Sequence, residues 1–433
     1  MFQLLERAPL KTASMAAELS LSRRPDRAAK TVWRRLLALA IVAAVGSAGM
    51  AFAANNSVQG AKKEEPGFDG DAPTAILIEA SSGSVLFEKN ADELRAPSSM
   101  MKLMTAETVF HAIKQGDVKL TDEYRISENA WRHGGAPSGT STMFAAINSK
   151  VSVDDLLHGA IIQSGNDACI ALAEGMAGNE RTFASDFLTR RARELGLTQS
   201  TFANSNGLPD PDNKMTVREL ARLARYIILT YPDFYKLFGE KEFTWNKIRQ
   251  PNRNPLLNSL PGADGLKTGY TKEGGYGMVG SAVENGIRLI VVVNGMEDSE
   301  DRASEAKKML EWGFRNFEAR ALFAADQTVG YARVFGGDSR SLKLSSPVPI
   351  KVMVTKNGND KLIARVVYNG PVRAPVEAGQ RVGVVRVWRG ANIAVEAPVY
   401  AAQSIGKGST MRRAIDGASE LVIGMFRLGA EKL

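Results

Sequence analysis

Three short motifs in a fixed order most constrain what this chain of 433 residues can fold into. They are Ser99-Met100-Met101-Lys102, Ser164-Gly165-Asn166 and Lys267-Thr268-Gly269. Each supplies a hydroxyl, an amine or an amide of the kind that acyl-transfer chemistry uses. Groups so far apart along the chain can act together only if the fold brings a helix start, a turn and a strand to one cleft.

Taken singly, the motifs are weak. Ser304 and Ser404 also begin Ser-x-x-Lys patterns, Ser127 begins a second Ser-x-Asn pattern, and only Lys-Thr-Gly is unique. An N-cap serine, an ordinary turn between helices and an exposed strand lysine would account for the three motifs separately. The ordered set, with each motif in a suitable context, favours a shared catalytic site.

The first motif predicts a nucleophile and its base. A helix that begins at Ser98 or Ser99 places the side chains of Ser99 and Lys102 on one face, because residues three apart are neighbours. A serine hydroxyl needs a nearby base, and a lysine serves if burial lowers its pKa. Backbone N–H groups at the start of the helix can hold a developing oxyanion. The apolar neighbours that would bury the lysine are Met100, Met101, Leu103 and Met104.

The other two motifs supply groups for a substrate. The hydroxyl of Ser164 can relay a proton between the base lysine and a leaving group, and Asn166 offers an amide to a substrate carbonyl and to that lysine. Lys267 beside Thr268 suits a substrate carboxylate. Gly269 lets a substrate approach the strand closely.

The rest of the patterning places these motifs in a two-domain chain. Alternating runs around Ser81-Ser82-Gly83 and around Asn285-Gly286 predict two hairpins. From residue 327 to 402, short Val- and Ile-rich runs broken by Gly, Pro and Asn predict an all-β module. Helices are predicted over 98–112, 153–177, 215–230 and 302–316.

The first 53 residues predict export. Residues 1–54 hold eight Lys/Arg and three Asp/Glu, so they carry +5 of the net charge of +8 and leave +3 for the remainder. Arg34-Arg35, an apolar run from 36 to 45 and Ala51-Phe52-Ala53 are typical of a secretory signal peptide. An uncleaved anchor is the alternative, and the arginine pair leaves a twin-arginine route open. The charge distribution gives no support to nucleic-acid binding.

Export implies an oxidising compartment, in which this chain lacks a disulfide partner. Cys169 is the single cysteine and lies in an apolar run, so we expect a small buried side chain. The three histidines show no metal-binding spacing, and no metal or other cofactor is expected.

The last stretch, residues 411–433, predicts an amphipathic helix. Its apolar residues fall largely on one side at 100° per residue, and its charged residues fall on the other. It is too polar to span a membrane, so we expect it to lie in the plane of a membrane surface, after a hinge at Gly406-Lys407-Gly408. A helix packed on the β module is the alternative.

Beyond the motifs, longer segments carry a resemblance to a known family. From about residue 72 to 320 the chain resembles the low-molecular-mass penicillin-binding D-alanyl-D-alanine carboxypeptidases, which are serine-type enzymes. The segments that carry this resemblance are 96–105, 163–168, 202–208, 252–256 and 264–271.

This resemblance implies a fold and a division of the chain. The fold is an α+β catalytic domain of the β-lactamase/transpeptidase type, with an antiparallel sheet flanked by helices and an all-helical lobe, followed by a small all-β domain and a C-terminal amphipathic helix. The predicted divisions are a signal peptide (1–53), a tether (54–71), the catalytic domain (72–322), the all-β domain (323–404) and a hinge with the membrane-anchoring helix (405–433).

The resemblance also implies residue roles. It makes Ser99 the nucleophile, Lys102 the base and Ser164 the proton relay. Substrate contacts are implied for Asn166, Lys267, Thr268, Gly269 and Tyr270, of which Lys267 and Thr268 bind the terminal carboxylate. The backbone N–H groups of Ser99 and Tyr270 would form the oxyanion hole. Many relatives have histidine in place of Tyr270, but the contact there is made by the main chain.

The implied activity is removal of the terminal D-Ala from peptidoglycan pentapeptides through an acyl-enzyme, with β-lactams as covalent inhibitors. A class A β-lactamase is disfavoured because Asn254 stands where the Glu of a Glu-x-x-Leu-Asn motif is needed before Leu257-Asn258. A D,D-endopeptidase or transpeptidase on the same fold stays open. So does a non-catalytic peptidoglycan-binding scaffold, which the intact motifs disfavour.

Overall fold

We describe the protein from a computed structural model that covers residues 67–356, 358, 360–390, 392–411, 413, 414 and 416. The predicted signal peptide, residues 54–66 of the predicted tether and most of the predicted C-terminal helix lie outside these described residues. Within the last part of the tether, Phe68 packs against Phe87 and Trp312, with ring centroids 5.3 and 5.5 Å away. Packing therefore begins upstream of the predicted domain start at residue 72.

The chain first forms two strands of a central sheet, then a mainly helical segment, then the remaining three strands of that sheet and a helix, and finally an all-β segment. The strands are β1 (Thr74–Glu79), β2 (Val85–Lys89), β3 (Glu123–Arg125), β4 (Lys150–Ser152), β5 (Glu242–Trp245), β6 (Ile248–Pro251), β7 (Ala263–Thr271), β8 (Gly275–Glu284), β9 (Ile287–Met296), β10 (Phe317–Phe323), β11 (Thr328–Phe335), β12 (Ser341–Ser345), β13 (Ile350–Thr355), β14 (Leu362–Tyr368), β15 (Val372–Arg373), β16 (Arg381–Arg389) and β17 (Asn392–Ala401). The helices are α1 (Lys102–Gln115), α2 (Val153–Ile161), α3 (Asn166–Ala177), α4 (Glu180–Thr182), α5 (Arg190–Glu194), α6 (Val217–Thr230), α7 (Pro232–Tyr235), α8 (Leu256–Ser259) and α9 (Ser299–Asn316). Shorter 3-10 or π turns cover Ser98–Met101, Ala130–Gly134, Ala136–Ser138, Phe183–Thr189 and Lys236–Gly239.

A five-stranded antiparallel sheet, in the order β2-β1-β9-β8-β7, forms the centre of the first domain. Both predicted hairpins are confirmed, since β1 pairs with β2 and β8 pairs with β9. Asn285 and Gly286 adopt φ of 50° and 77° between β8 and β9, which is the geometry that a two-residue hairpin turn requires. The Lys-Thr-Gly motif lies on β7, at the edge of the sheet.

The two faces of this sheet pack against different layers. On one face, alternate residues of β1 and β9 join the core of α9, which buries Ala306, Met309 and Leu310. On the other face, Ile76 and Ile290 join a larger core with α1, α6 and the helical lobe. Helix α1, which begins at Lys102, is thus held inside the domain, between the sheet and the lobe.

The helical lobe contains one helix that the sequence predicts and one predicted helical stretch that is broken in two. Thr216 caps the start of helix α6, since its hydroxyl accepts from Glu219 N at 3.0 Å. The buried positions of α6 follow helical spacing, as predicted. The stretch predicted as helical over 153–177 is instead two helices, because Ser164 adopts φ of 65° between α2 and α3. This left-handed residue ends α2 and redirects the chain before α3 begins.

The all-β part forms a second domain. A six-stranded sheet, in the order β14-β16-β17-β12-β11-β15, packs with the β10-β13 pair around a core of Val, Leu, Ile and Ala side chains. The predicted division between residues 322 and 323 falls at the end of β10, but β10 already pairs with β13 from Phe317 onwards. Among the described residues, no helix is both long and apolar enough to cross a membrane.

Candidate active site

The first motif forms a 3-10 turn, Ser98–Met101, that leads directly into α1. Residues three apart eclipse in a 3-10 helix, so Lys102 lies directly beside Ser99. Lys102 Nζ donates to Ser99 Oγ at 2.8 Å. Met100, Met101, Leu103 and Met104 are fully buried around it, as expected from the sequence.

Burial lowers the pKa of Lys102, which favours the free amine that can act as a base. Lys102 is only 3% exposed, and desolvation is the largest of the effects that lower its pKa from 10.5 to about 8. Arg253 lowers it further, while the negative charges of Asp167 and Glu180 raise it. A base whose pKa lies near ambient pH can take a proton from a hydroxyl and return it later.

The backbone around Ser99 is held from two sides. Gly207 adopts φ of 79°, and a Cβ there would lie 2.0 Å from Ser98 O. A Cβ on Gly269 would lie 3.1 Å from Met100 N and from Pro97 O. The missing side chain of Gly269 therefore leaves room for the turn that carries Ser99, and its role in admitting a substrate stays a prediction.

The second and third motifs meet the first in one cleft. Lys267 Nζ donates to Ser164 Oγ at 3.0 Å and to Thr268 O at 2.9 Å. Lys267 and Ser164 are each 2% exposed. Desolvation, followed by repulsion from Lys102 and Arg253, holds the pKa of Lys267 well below its usual value. An anionic group entering the cleft would restore the charge on this lysine, which suits it to a carboxylate.

One predicted contact is wrong. Asn166 was expected to bond Lys102, but Lys102 Nζ makes its second hydrogen bond to Asn206 O, at 2.6 Å. Asn166 Nδ2 donates instead to Thr140 Oγ1 at 2.9 Å. Asn166 Oδ1 is buried and lacks a partner among the described residues, so it is an acceptor open to a ligand. Lys102 bonds the backbone carbonyl of Asn206 because the 204–208 loop packs against the start of α1.

Tyr270 lies next to the motif on β7 and is exposed. Its side chain is 54% exposed and stacks on Tyr276, with ring centroids 4.1 Å apart. Its backbone belongs to the edge strand that also carries Lys267 and Thr268. Tyr270 therefore exposes its side chain at the edge of the sheet, and its main-chain contact with an oxyanion stays a prediction.

Asp167, for which the sequence predicts no role, braces the segment around Thr142 that lines the cleft. Its carboxylate accepts from Thr142 Oγ1 at 2.6 Å and from the N–H groups of Met143 and Ala145 at 2.9 and 3.2 Å. These bonds fix the segment that presents Thr140 to Asn166. Burial nevertheless raises the pKa of Asp167. Its position directly after Asn166, at the start of α3, was the available signal.

Arg253 is the second residue without a predicted role. Its Nη1 donates to Ser141 Oγ at 2.8 Å, and its charge lowers the pKa of both Lys102 and Lys267. It follows Asn252, whose Oδ1 accepts from Asn254 N at 2.9 Å and shapes the loop. The arginine lies within one of the family-like segments, so resemblance marked the position without indicating its function.

The assembled cleft contains the parts that serine acyl transfer needs: a hydroxyl, a buried amine beside it, a second hydroxyl bonded to a second amine, and an unpaired amide oxygen. Comparison with known proteins agrees with this geometry. The D-alanyl-D-alanine carboxypeptidase family profile matches residues 59–298, and the profile of the penicillin-binding protein 5 C-terminal domain matches residues 317–407.

Individual relatives cover most of the chain. The D-alanyl-D-alanine carboxypeptidase DacC of Escherichia coli is 39% identical over 369 residues, covering 84% of this chain and 90% of the relative. Penicillin-binding protein 5 from Haemophilus influenzae has a TM-score of 0.69 at 35% identity, covering 79% of this chain and 99% of that one. Penicillin-binding protein D2 from Listeria monocytogenes, solved in a cefotaxime-bound form, has a TM-score of 0.52 at 29% identity, covering 57% and 99%. This chain therefore belongs to the D-alanyl-D-alanine carboxypeptidase family of penicillin-binding proteins.

Proposed function

We propose that this protein is a serine D-alanyl-D-alanine carboxypeptidase that removes the terminal D-Ala from peptidoglycan stem peptides through an acyl-enzyme on Ser99. The observation that carries this is the pair formed by Ser99 Oγ and Lys102 Nζ, 2.8 Å apart, in which burial lowers the pKa of the lysine to about 8. That pair supplies a nucleophile and a base in one place. The family relationship supplies the substrate class.

The contact between Lys102 and Ser99 supports the following acylation step. Lys102 takes the proton of Ser99 Oγ as that oxygen bonds to the carbonyl carbon of the penultimate D-Ala. The backbone N–H groups of Ser99 and Tyr270 hold the resulting oxyanion. The C–N bond then breaks, and the proton passes through Ser164 to the nitrogen of the leaving D-Ala. Water, activated by the same lysine, hydrolyses the ester and restores Ser99.

Substrate orientation comes from the edge strand. The terminal carboxylate pairs with Lys267 and bonds Thr268. Asn166 was predicted to hold a substrate carbonyl, but its Nδ2 donates to Thr140 and its Oδ1, unpaired among the described residues, is available instead to accept from an amide N–H of the peptide. A β-lactam carries a carboxylate and a strained amide at similar separations, so it acylates Ser99 in the same way. When the β-lactam ring opens, the amine stays attached to the acyl group and cannot leave the cleft, so the acyl-enzyme persists.

Product analysis separates this activity from its alternatives on the same fold. Incubation with a purified muropeptide pentapeptide and with a cross-linked dimer should release free D-Ala from the first and leave the second intact. Cleavage of the dimer alone would indicate a D,D-endopeptidase, and formation of new dimers would indicate a transpeptidase. Absence of any product, together with no labelling by fluorescent penicillin, would indicate a non-catalytic scaffold.

The nucleophile can be tested with matched serine variants. Ser99→Ala should abolish both D-Ala release and penicillin labelling, because Lys102 then has no hydroxyl to activate. Ser304→Ala and Ser404→Ala remove the other Ser-x-x-Lys serines and should change neither readout. Labelling that survives in Ser99→Ala would place the nucleophile elsewhere.

We further propose that the protein is exported to the periplasm and held on the outer face of the cytoplasmic membrane by residues 411–433. The apolar and charged sides of that segment support this, as does the β domain, where residues 317–407 carry 13 Lys/Arg against 6 Asp/Glu. An anionic membrane surface would attract a domain of this charge. Peptidoglycan at that location would be the substrate, with effects on wall biogenesis and cell shape.

A truncation tests the anchor without disturbing the β domain. Asp416 Oδ2 accepts from Gly336 N at 3.0 Å, so deletion should begin after it. Removal of residues 417–433 should move active enzyme from washed membranes to the soluble fraction. Membrane retention of the truncated enzyme would contradict the anchor and leave the catalytic proposal untouched.

A further inference from the structure

A carboxylate outside the three motifs is connected to the catalytic lysine through the 204–208 loop. Glu180 Oε1 accepts from Ser205 N at 3.2 Å, from Ser205 Oγ at 2.5 Å and from Asn206 Nδ2 at 3.5 Å. The backbone oxygen of the same Asn206 accepts from Lys102 Nζ at 2.6 Å. Two residues of the loop thus join Glu180, at the start of α4, to the base on α1.

The loop has several other bonds that keep its shape. Thr105 Oγ1, one turn along α1 from Lys102, donates to Ser205 O at 2.6 Å. Asn204 Oδ1 accepts from Gly207 N at 2.8 Å, and Gly207 contacts the backbone of Ser98. The loop therefore touches α1 on both sides of the lysine. Of the loop's described hydrogen bonds, those to Glu180 are the ones that involve a carboxylate.

We propose that Glu180 is a positioning residue for Lys102: its carboxylate anchors Ser205 and Asn206 so that the Asn206 carbonyl holds the lysine amine against Ser99, and its charge acts on that amine. This proposal rests on the proposed function, since it concerns the base of the same reaction. It assigns a role in acylation to a side chain that needs no contact with substrate.

The charge of Glu180 acts on Lys102 together with groups from the other elements around it. Asp167 and Cys169 face the lysine from α3, Arg253 from the loop before α8, and Lys267 belongs to β7. Glu180 raises the pKa of Lys102, whereas Arg253 lowers it. The free amine is the form that takes the serine proton. Removing the Glu180 charge should therefore extend acylation to lower pH.

Two variants separate anchoring from charge. Glu180→Gln keeps an oxygen that accepts from Ser205 but removes the charge. Glu180→Ala removes both. Glu174→Gln is the matched control, because Glu174 lies nearby on α3 and accepts from Asn129 Nδ2 at 2.9 Å, away from the 204–208 loop.

The experiment measures the rate of Ser99 acylation by a fluorescent penicillin from pH 5 to 10, with thermal unfolding of each variant as a check on folding. Glu180→Gln should keep its plateau rate within about threefold and shift the acid limb by about half a pH unit to lower pH, the size expected for one charge screened by a partly solvated loop. Glu180→Ala should lower the plateau by about tenfold or more, as misplacement of a base does, while apparent affinity before acylation stays unchanged. Glu174→Gln should match the unchanged protein.

Each outcome decides the proposal. The proposal is overturned if the plateau acylation rate and the acid limb of the pH profile are unchanged in both Glu180 variants. It is also overturned if both variants lose the same fraction of the acylation rate and the acid limb does not move, because a carboxylate with a purely structural role would give that result. If Glu180→Ala does not fold, the acid limb of Glu180→Gln alone decides. If the wild-type protein is not acylated at all, both the proposed function and this inference are refuted. If it is acylated but insensitive to changes at Glu180, only this inference is refuted.

Discussion

Replacing Lys102 with methionine should make the protein more stable near neutral pH while removing its acylation activity. Burial lowers the pKa of Lys102 from 10.5 to about 8, so the folded state binds this proton less tightly than the unfolded chain does. A difference of this size corresponds to about 3 kcal/mol of destabilisation at pH 7. Methionine fills a similar volume without a charge. It leaves Asn206 O without its donor, which costs about 1–3 kcal/mol.

The sign of the effect can be followed with pH. Below about pH 8 the unchanged protein carries the full cost of its buried ammonium, and that cost disappears as pH rises to the unfolded value of 10.5. The variant should therefore be more stable by about 0–2 kcal/mol at pH 7 and less stable by about 1–3 kcal/mol above pH 10.5. Urea unfolding of both proteins at several pH values measures this difference directly.

A control and an activity assay complete the test. Lys308→Met replaces an exposed lysine on α9, and its stability difference should not change with pH in this way. Acylation of Lys102→Met by penicillin should fall by at least about 10²–10⁴-fold, the usual contribution of a general base. A stability difference for Lys102→Met that stays flat from pH 7 to 10.5 would refute the argument that this lysine is held with a lowered pKa.

Three further substitutions test neighbouring parts of the cleft. Lys267→Gln should weaken substrates with a free terminal carboxylate and have much less effect on those with an amidated terminus; equal losses in steady-state kinetics would remove Lys267 from the carboxylate site. Arg253→Gln removes a charge that lowers the pKa of Lys102, so the acid limb of acylation should move to higher pH, opposite to Glu180→Gln; a shift in the same direction would contradict the electrostatic account. Gly207→Ala places a Cβ 2.0 Å from Ser98 O at a φ of 79°, so it should cost about 1–3 kcal/mol in urea unfolding and slow acylation; a silent variant would show that the loop does not support the nucleophile turn.

Local sequence was enough where the physics is local. The Asn285-Gly286 turn, the amphipathic α6 and the Ser99–Lys102 pairing each depend on residues within a few positions of one another, and the structure has all three. The all-β domain was also predictable, because short β-branched runs between turn residues have few other ways to bury their side chains. The order of the three motifs identified the cleft through resemblance to a family.

Packing between distant segments decided the rest. Whether Lys102 bonds Asn166 or the carbonyl of Asn206 depends on how the 204–208 loop lies against α1, and no spacing in the sequence encodes that distance. The roles of Asp167, Arg253 and Glu180 also depend on contacts with distant segments, and nothing in their neighbouring sequence indicates those contacts. The sequence alone determined which groups could do the chemistry, since hydroxyl, amine and amide are fixed by residue type. Only the tertiary structure decided their partners and their pKa values, because burial and the charges of residues far along the chain exist only after the chain has folded.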